Sequence, residues 1–425
     1  VFAAELFLTR KKTILFLIED KEEALYVTAE MEDLLGKENV LYFPATHLEP
    51  YQIEKTQNAN LVLRTEVLNK LNSEKKGKVI VAGFSALSEM VLKKEDFKAI
   101  SHQIKVGESL DFDFTGELLH QFNFNLTDFV SEPGEFSVRG GIVDVFSFSN
   151  EKPYRITFFG NEIESIKTFN IETQLTIEKV SEFQLVSNMN FASSVNKVSL
   201  LKLLPKDSFI ISKNAFLGLN KMKDFYEKAE ENFLKLGTEI RHRKPDELFI
   251  SKEGLLTDYQ NFKSIDFTLE KLKLEVDISE VKLAQTQQPS FHKNFELLRE
   301  DLAKKKAENY DIWISFSSEK QRERLENIFE DISASQISTE DEPSKIYFKS
   351  FKSELHEGFV DADHQISVYT DHQIFDRYQR FKAKNSFAKS EQLTLKDLMQ
   401  MKVGDYITHI DHGIGKFMGL VKVNN

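Results

Sequence analysis

Asp361-Ala362-Asp363-His364 spells an acid-rich box of the kind that helps hold magnesium and nucleotide in NTPases. Such a box works with a buried strand ahead of it and a phosphate loop upstream. Here only Phe359-Val360 precedes it, a strand is expected after it, and neither GxxxxGKS/T nor GxGxxG occurs in the chain. A catalytic role is therefore disfavoured. His364, His372, His409 and His412 each lie near acidic residues, a mixture that can ligate metals. No HExxH or comparable spacing organises them, and turn or surface roles fit better. Gly83 to Leu87, GFSAL, lacks the GxSxG spelling of a nucleophile elbow. With no cysteine, thiolate metal sites, cysteine nucleophiles and disulfides are excluded. These residues predict no catalytic centre, cofactor or metal site.

A different chemistry is spelled between Phe129 and Val180, the densest run of strand and turn signals. In GEFSVRG, Phe136 and Val138 point one way and Ser137 and Arg139 the other, because side chains alternate along a strand. Gly140-Gly141 interrupts the run, as a bulge or a sharp bend would. The apolar run IVDVFSF follows, then a turn over Asn150 to Pro153, then the strand YRITFF. There Tyr154, Ile156 and Phe158 share one face, and Arg155, Thr157 and Phe159 share the other. Phe159 thus stands on a polar face beside an arginine. Aromatic and arginine side chains are common anchors of protein–protein contacts. Alternation alone leaves a second reading open, in which Phe159 packs under a loop and the arginines form surface ion pairs.

The surrounding elements suggest several domains. TILFLI, VLYFP and KVIVA read as strands alternating with the helical patterns EEALYVTAEMEDLLG and NLVLRTEVLNKLN, which predicts a parallel sheet with crossovers. DSFIIS, KSIDFTLE and LKLEVDI read as later strands, with a long helix around NKMKDFYEKAEENFLKLG. A second α/β pattern follows: a helix over FHKNFELLREDLAKKKAEN, the strand YDIWISFS, a helix over EKQRERLENIFEDI, and the strands KIYFKS and QISVYT. VGDYITHI, a turn at Asp411-His412-Gly413 and GKFMGLVKV start a last β unit.

A net charge of -12 disfavours a dedicated nucleic-acid surface. Lys75-Lys76, Lys93-Lys94 and the run 241–244, RHRK, are short and fit solvated faces. No apolar run reaches membrane-spanning length, and the absence of cysteine suits a reducing cytoplasm. Without an initiator Met, the chain is expected to begin part-way through a longer protein, and its last β unit to stop before a barrel could close.

Three segments make the pattern specific: EPGEFSVRGGIVDVF, PYRITFFGNEIESIKTF and Glu172-Thr173-Gln174. They resemble the domain that the excision-repair helicase UvrB shares with the transcription-repair coupling factor (Mfd) family, where it docks the repair protein UvrA. VGDYITHIDHGIGKFMGL resembles the start of that family's RNA-polymerase-binding module. FPATHLEPY followed by LRTEVLNKL fits its first α/β half.

The resemblance implies a multidomain α/β chain. A degenerate UvrB-like, P-loop-type domain would comprise 1–103 and 191–285, interrupted by an α+β UvrA-binding domain over 104–190. A small α/β domain over 286–392 and the start of a β-barrel-like polymerase module over 393–425 would follow. The resemblance places the UvrA-contacting residues at Arg139, Arg155 and Phe159. It implies a non-catalytic, cytoplasmic recruitment region with UvrA and RNA polymerase as partners and no membrane. ATP, Mg and DNA would belong to absent motor domains, which make the family an ATP-dependent translocase that displaces stalled polymerase. A working UvrB-like NTPase or DNA-binding domain is the alternative.

Overall fold

Parallel strands buried on both faces read as unbroken apolar runs, and ILFLI and VIVAG do so. In the computed structural model they form Ile14–Ile18 and Val79–Gly83, neighbours at the centre of a five-stranded sheet. Val40–Phe43 flanks them on one side, and Phe209–Lys213 and then Lys263–Phe267 on the other. Every pairing in this sheet is parallel. The structure describes residues 2–46, 49–51, 58–73, 76–187, 197–236, 243–268, 279–289, 291–335, 348–353, 355–376, 404, 406–409, 413–416 and 418. The run LKLEVDI, read as a strand from the sequence, lies outside them.

Between the third and fourth strands of that sheet in chain order, the chain leaves it through Ser101–Lys105 and returns through Glu182–Val186. These two segments pair antiparallel as a stem. Beyond the stem lie the helix Phe112–Gln121 and a six-stranded sheet. Its strand order is Thr176–Val180, Glu162–Phe169, Tyr154–Phe159, Ile142–Val145, Glu135–Arg139 and Asn125–Leu126. Its inner face packs Phe136, Val143, Val145, Tyr154, Ile156, Phe158, Ile163 and Ile166 into one core. Leu119 of the helix Phe112–Gln121 joins that core, and so do Leu61 and Val62 of the helix Asn58–Ser73. Each such buried side chain contributes about 1.5–3 kcal/mol.

Two details sharpen the strand reading. Gly140-Gly141 is the two-residue loop of a hairpin in which Arg139 faces Ile142; Gly140 takes φ +58, which a side chain would resist. Val138 is 40% exposed although it shares the face of Phe136. The edge strand Asn125–Leu126 pairs only alongside Glu135 and Phe136, so Val138 lies past its end.

The chain then forms a second, mixed five-stranded sheet. Its order is Gln285–Gln287, Phe359–Asp361, Ile366–Thr370, Asp311–Phe316 and Lys349–Lys352. Leu298, Leu302, Leu325 and Phe329, from the helices Phe295–Ala307 and Glu319–Ser335, cover one face. Of the run KIYFKS, Lys349 and Ser350 lie in the last of these strands, while residues 345–347 lie outside the described residues. This unit touches the first through the helix Lys21–Leu35. Tyr26 stacks on His356 with ring centroids 3.7 Å apart, and Glu30 accepts the His356 backbone N–H at 2.7 Å. Near the C-terminus, Tyr406–His409 and Gly413–Lys416 form a hairpin.

Candidate protein-docking site

The outer face of the six-stranded sheet is built by the alternation that fills its core. Because Ile156 and Phe158 point inward, Arg155, Thr157 and Phe159 point outward. Phe159 is 80% exposed, so the reading that buries it under a loop does not hold. One end of this face is covered by a small apolar cluster of Val130, Phe146 and Phe169. Arg155 emerges at its border, with its guanidinium carbon 4.7 Å from the Phe169 ring centre. The guanidinium of Arg139 lies over Phe129 at 5.0 Å.

Asp144 holds the two arginines together. It stands directly across from Arg155 on the neighbouring strand, with its side chain fully buried. It accepts from Arg155 Nε at 2.7 Å and Nη2 at 2.8 Å, and from Arg139 Nη2 at 2.5 Å. Arg155 Nη1 donates to the Gln174 carbonyl at 3.1 Å. The hydrogen bonds to Asp144 hold the Arg155 guanidinium above even its usual high pKa. One face of the Arg155 fork is therefore committed inside the molecule, not presented to a partner. Its side chain is 20% exposed, against 43% for Arg139. The structure thus brings Arg139 and Arg155 onto one carboxylate, with Phe159 further along the Arg155 strand.

Sequence reasoning passed over Asp144. The signal was an acid inside the apolar run IVDVF, since a buried carboxylate requires partners. It also passed over Lys167, which lies directly across from Arg155, and Lys179, which lies across from Lys167.

The other candidate positions resolve differently. Asp361 ends a short strand, and the chain returns antiparallel through Ile366–Thr370, so the DADH run is a hairpin turn. The Asp361 carboxylate accepts from the Gln285 amide and the His364 backbone N–H. These bonds bring its pKa down to about 2. Among the described residues no group of three His, Asp or Glu side chains could hold a metal. His412 and the side chain of His409 lie outside them.

In an open parallel sheet the nucleotide position is the crevice beyond the strand ends where the order reverses. Here that is the end of Ile14–Ile18, from which the chain builds first to one side and later to the other. The helix Lys21–Leu35 starts there, and Asp20 caps it by accepting the Glu23 backbone N–H at 2.9 Å. Glu22 and Glu23 fill its first turn, which suits the positive end of a helix. Lys221 bonds Glu19, and Lys213 bonds Glu23. A phosphate at this helix end would meet carboxylates in place of free N–H groups and an unpaired lysine.

Residues 102–191 match the UvrB interaction domain, and residues 401–425 match the CarD-like/TRCF RID domain. The chain is also similar to curated relatives along nearly all its length. It is 24% identical to the transcription-repair-coupling factor of Bacillus subtilis (strain 168) over 99% of the chain, and 22% to that of Staphylococcus aureus (strain USA300) over 98%. Transcription-repair-coupling factors are its homologues. The chain spans 41% of the length of each of these relatives. The outer face that carries Arg139, Asp144, Arg155 and Phe159 falls inside the matched interaction domain.

Proposed function

We propose that this chain is the recruitment region of a transcription-repair-coupling factor and that it docks UvrA through the outer face of the six-stranded sheet. The observation that carries this reading is the 80% exposed Phe159 on the strand of the Arg155–Asp144 clamp, inside the segment that matches an interaction domain. A rigid aromatic beside oriented guanidinium groups is a typical hot-spot composition. Phe159 and Arg139 supply the direct contacts, while Arg155 offers one edge and uses the other to hold the clamp. The division into 1–103, 104–190, 191–285, 286–392 and 393–425 belongs to the same proposal. It is supported by the return of Phe209–Lys213 and Lys263–Phe267 to the first sheet.

The carboxylates around the helix start at Asp20 favour a non-catalytic role for this chain over a working NTPase. ATP and Mg, DNA translocation and the displacement of stalled RNA polymerase would belong to the rest of the whole protein, acting in the cytoplasm. RNA polymerase would be contacted from the C-terminal segment, where Tyr406 and Ile414 are exposed on the hairpin. The test is binding of purified UvrA to the immobilised chain. Wild type is expected to capture UvrA, and Arg139→Ala/Phe159→Ala to lose at least about tenfold in affinity. Equal capture by both would refute the site. Saturable ATP binding by the chain would refute the non-catalytic reading.

A further inference from the structure

Along one register row of the outer face, four adjacent strands place Asp144, Arg155, Lys167 and Lys179 side by side. Directly opposed residues on antiparallel strands share a face, with Cβ atoms about 4.5–5.5 Å apart. Like charges in that position oppose folding. Here three cations follow one another, and the only acid in the row is the buried Asp144, already shared between Arg155 and Arg139. Neither Lys167 nor Lys179 makes an ion pair among the described residues. Glu178 does not neutralise the row. It pairs across from Thr168 on the opposite face and bonds Lys152. Glu162 lies across from Phe159, at the far end of the strand. In a chain of net charge -12, this is a positive strip that stability alone does not explain.

We propose that the Arg155–Lys167–Lys179 row is a recognition strip for an acidic segment of the protein that docks beside Phe159, with Lys167 and Lys179 as binding residues. The inference rests on the docking reading of this face and names the chemistry of the partner segment. Strands lie about 4.8 Å apart, so the row from Arg155 to Lys179 spans about 10 Å. That is close to the Debye length at 0.1 M salt, so the cations act on a partner as one patch. A peptide carrying two or three carboxylates would cross the strands along the row while an apolar residue beside it meets Phe159. The exposed aromatic on the same face favours protein over a nucleic-acid backbone, and the strip is too short to follow many phosphates.

The test measures affinity of the 425-residue chain for purified UvrA at low, physiological and high salt. Three variants are compared with wild type: Lys167→Glu/Lys179→Glu, Lys167→Gln/Lys179→Gln and Phe159→Ala. The charge reversal is expected to weaken binding about tenfold or more at physiological salt, and the Gln pair to lessen the salt dependence. Phe159→Ala should weaken binding with an unchanged salt dependence. Folding is not at risk, because Glu beside Arg155 relieves repulsion, and the thermal midpoint should hold or rise. If Phe159→Ala weakens binding and both lysine variants match wild type, the strip is refuted while the docking face stands. If none of the variants changes binding, both readings fall. Salt-dependent duplex DNA binding that the lysine reversal abolishes, with UvrA affinity unchanged, would overturn the acidic-protein assignment.

Discussion

Replacing Asp144 by alanine tests whether the clamp is structural. The carboxylate is fully buried and receives two N–H groups of Arg155 and one of Arg139. Breaking a buried charge pair by removing one partner costs about 3–5 kcal/mol, because the other charge is stranded. Arg155 is 20% exposed and can recover part of that by turning toward water. Arg139, at 43%, adds little, as half-exposed pairs are worth about 0–1 kcal/mol. The removal also leaves the adjoining lysine row without its counter-charge. We therefore expect a loss of about 2–4 kcal/mol, confined to the six-stranded sheet. The chain's one Trp, Trp313, lies in another sheet, so fluorescence would miss the change. Amide hydrogen exchange at Ile156 and Phe158 reports it directly. Protection there should fall about 30- to 700-fold, the same energy read as an opening constant. In a double-mutant cycle with Arg155→Ala, the two losses should couple by about 1–3 kcal/mol. A loss below about 1 kcal/mol, or strict additivity, would refute the clamp.

Phe159→Ala should leave stability within about 0.5 kcal/mol of wild type in chemical denaturation, since an exposed ring packs little; a larger loss would show that the ring is structural. Gly218→Ala should destabilise the first unit by about 1–3 kcal/mol despite alanine's better helix propensity. A Cβ there would come 2.2 Å from Phe84 Cδ2, between the helices Ala215–Lys235 and Phe84–Ser88, and an unchanged melting temperature would contradict that packing. Burial lowers the His372 pKa below its usual 6.5, the nearby His356 charge adds to this, and Asp371 opposes it. Folded His372 thus resists a proton that the unfolded chain accepts. Its contribution to stability is complete above about pH 6.5 and declines as the pH falls below that. Urea titrations followed by Trp313 fluorescence should show this decline, and His372→Gln should lessen it.

The parallel sheet was legible because its strands ILFLI, VLYF and VIVAG are apolar runs that alternate with helical patterns, although the edge strand KSIDF is not one. The outer face was legible because a period of two fixes which residues share a side, and Tyr154 to Phe159 obey it without exception. Asp144 was not, because pairing register decides which carboxylate meets which arginine, and Arg155 lies 11 residues away across two strands' worth of chain. Lys167 and Lys179 were missed for the same reason, since their alignment with Arg155 exists only once three strands are in register. Val138 misled because alternation gives a direction but not the length of the neighbouring strand. The DADH run closes a hairpin after a short antiparallel strand, which the sequence suggested only in part, by the strand expected after it.

The stem formed by Ser101–Lys105 and Glu182–Val186 has a mechanical consequence. A domain hung from one linker can swivel, and a pull on it is lost in rotation. This sheet is held by two hydrogen-bonded strands and also by Leu61 and Val62 of the helix below it. Load applied at Phe159 therefore reaches the first unit through both stem strands at once and through the Leu61 and Val62 contact. A partner docked on this face, as proposed, would be held on a bracket instead of a leash, moving with the body of the chain and keeping a fixed bearing.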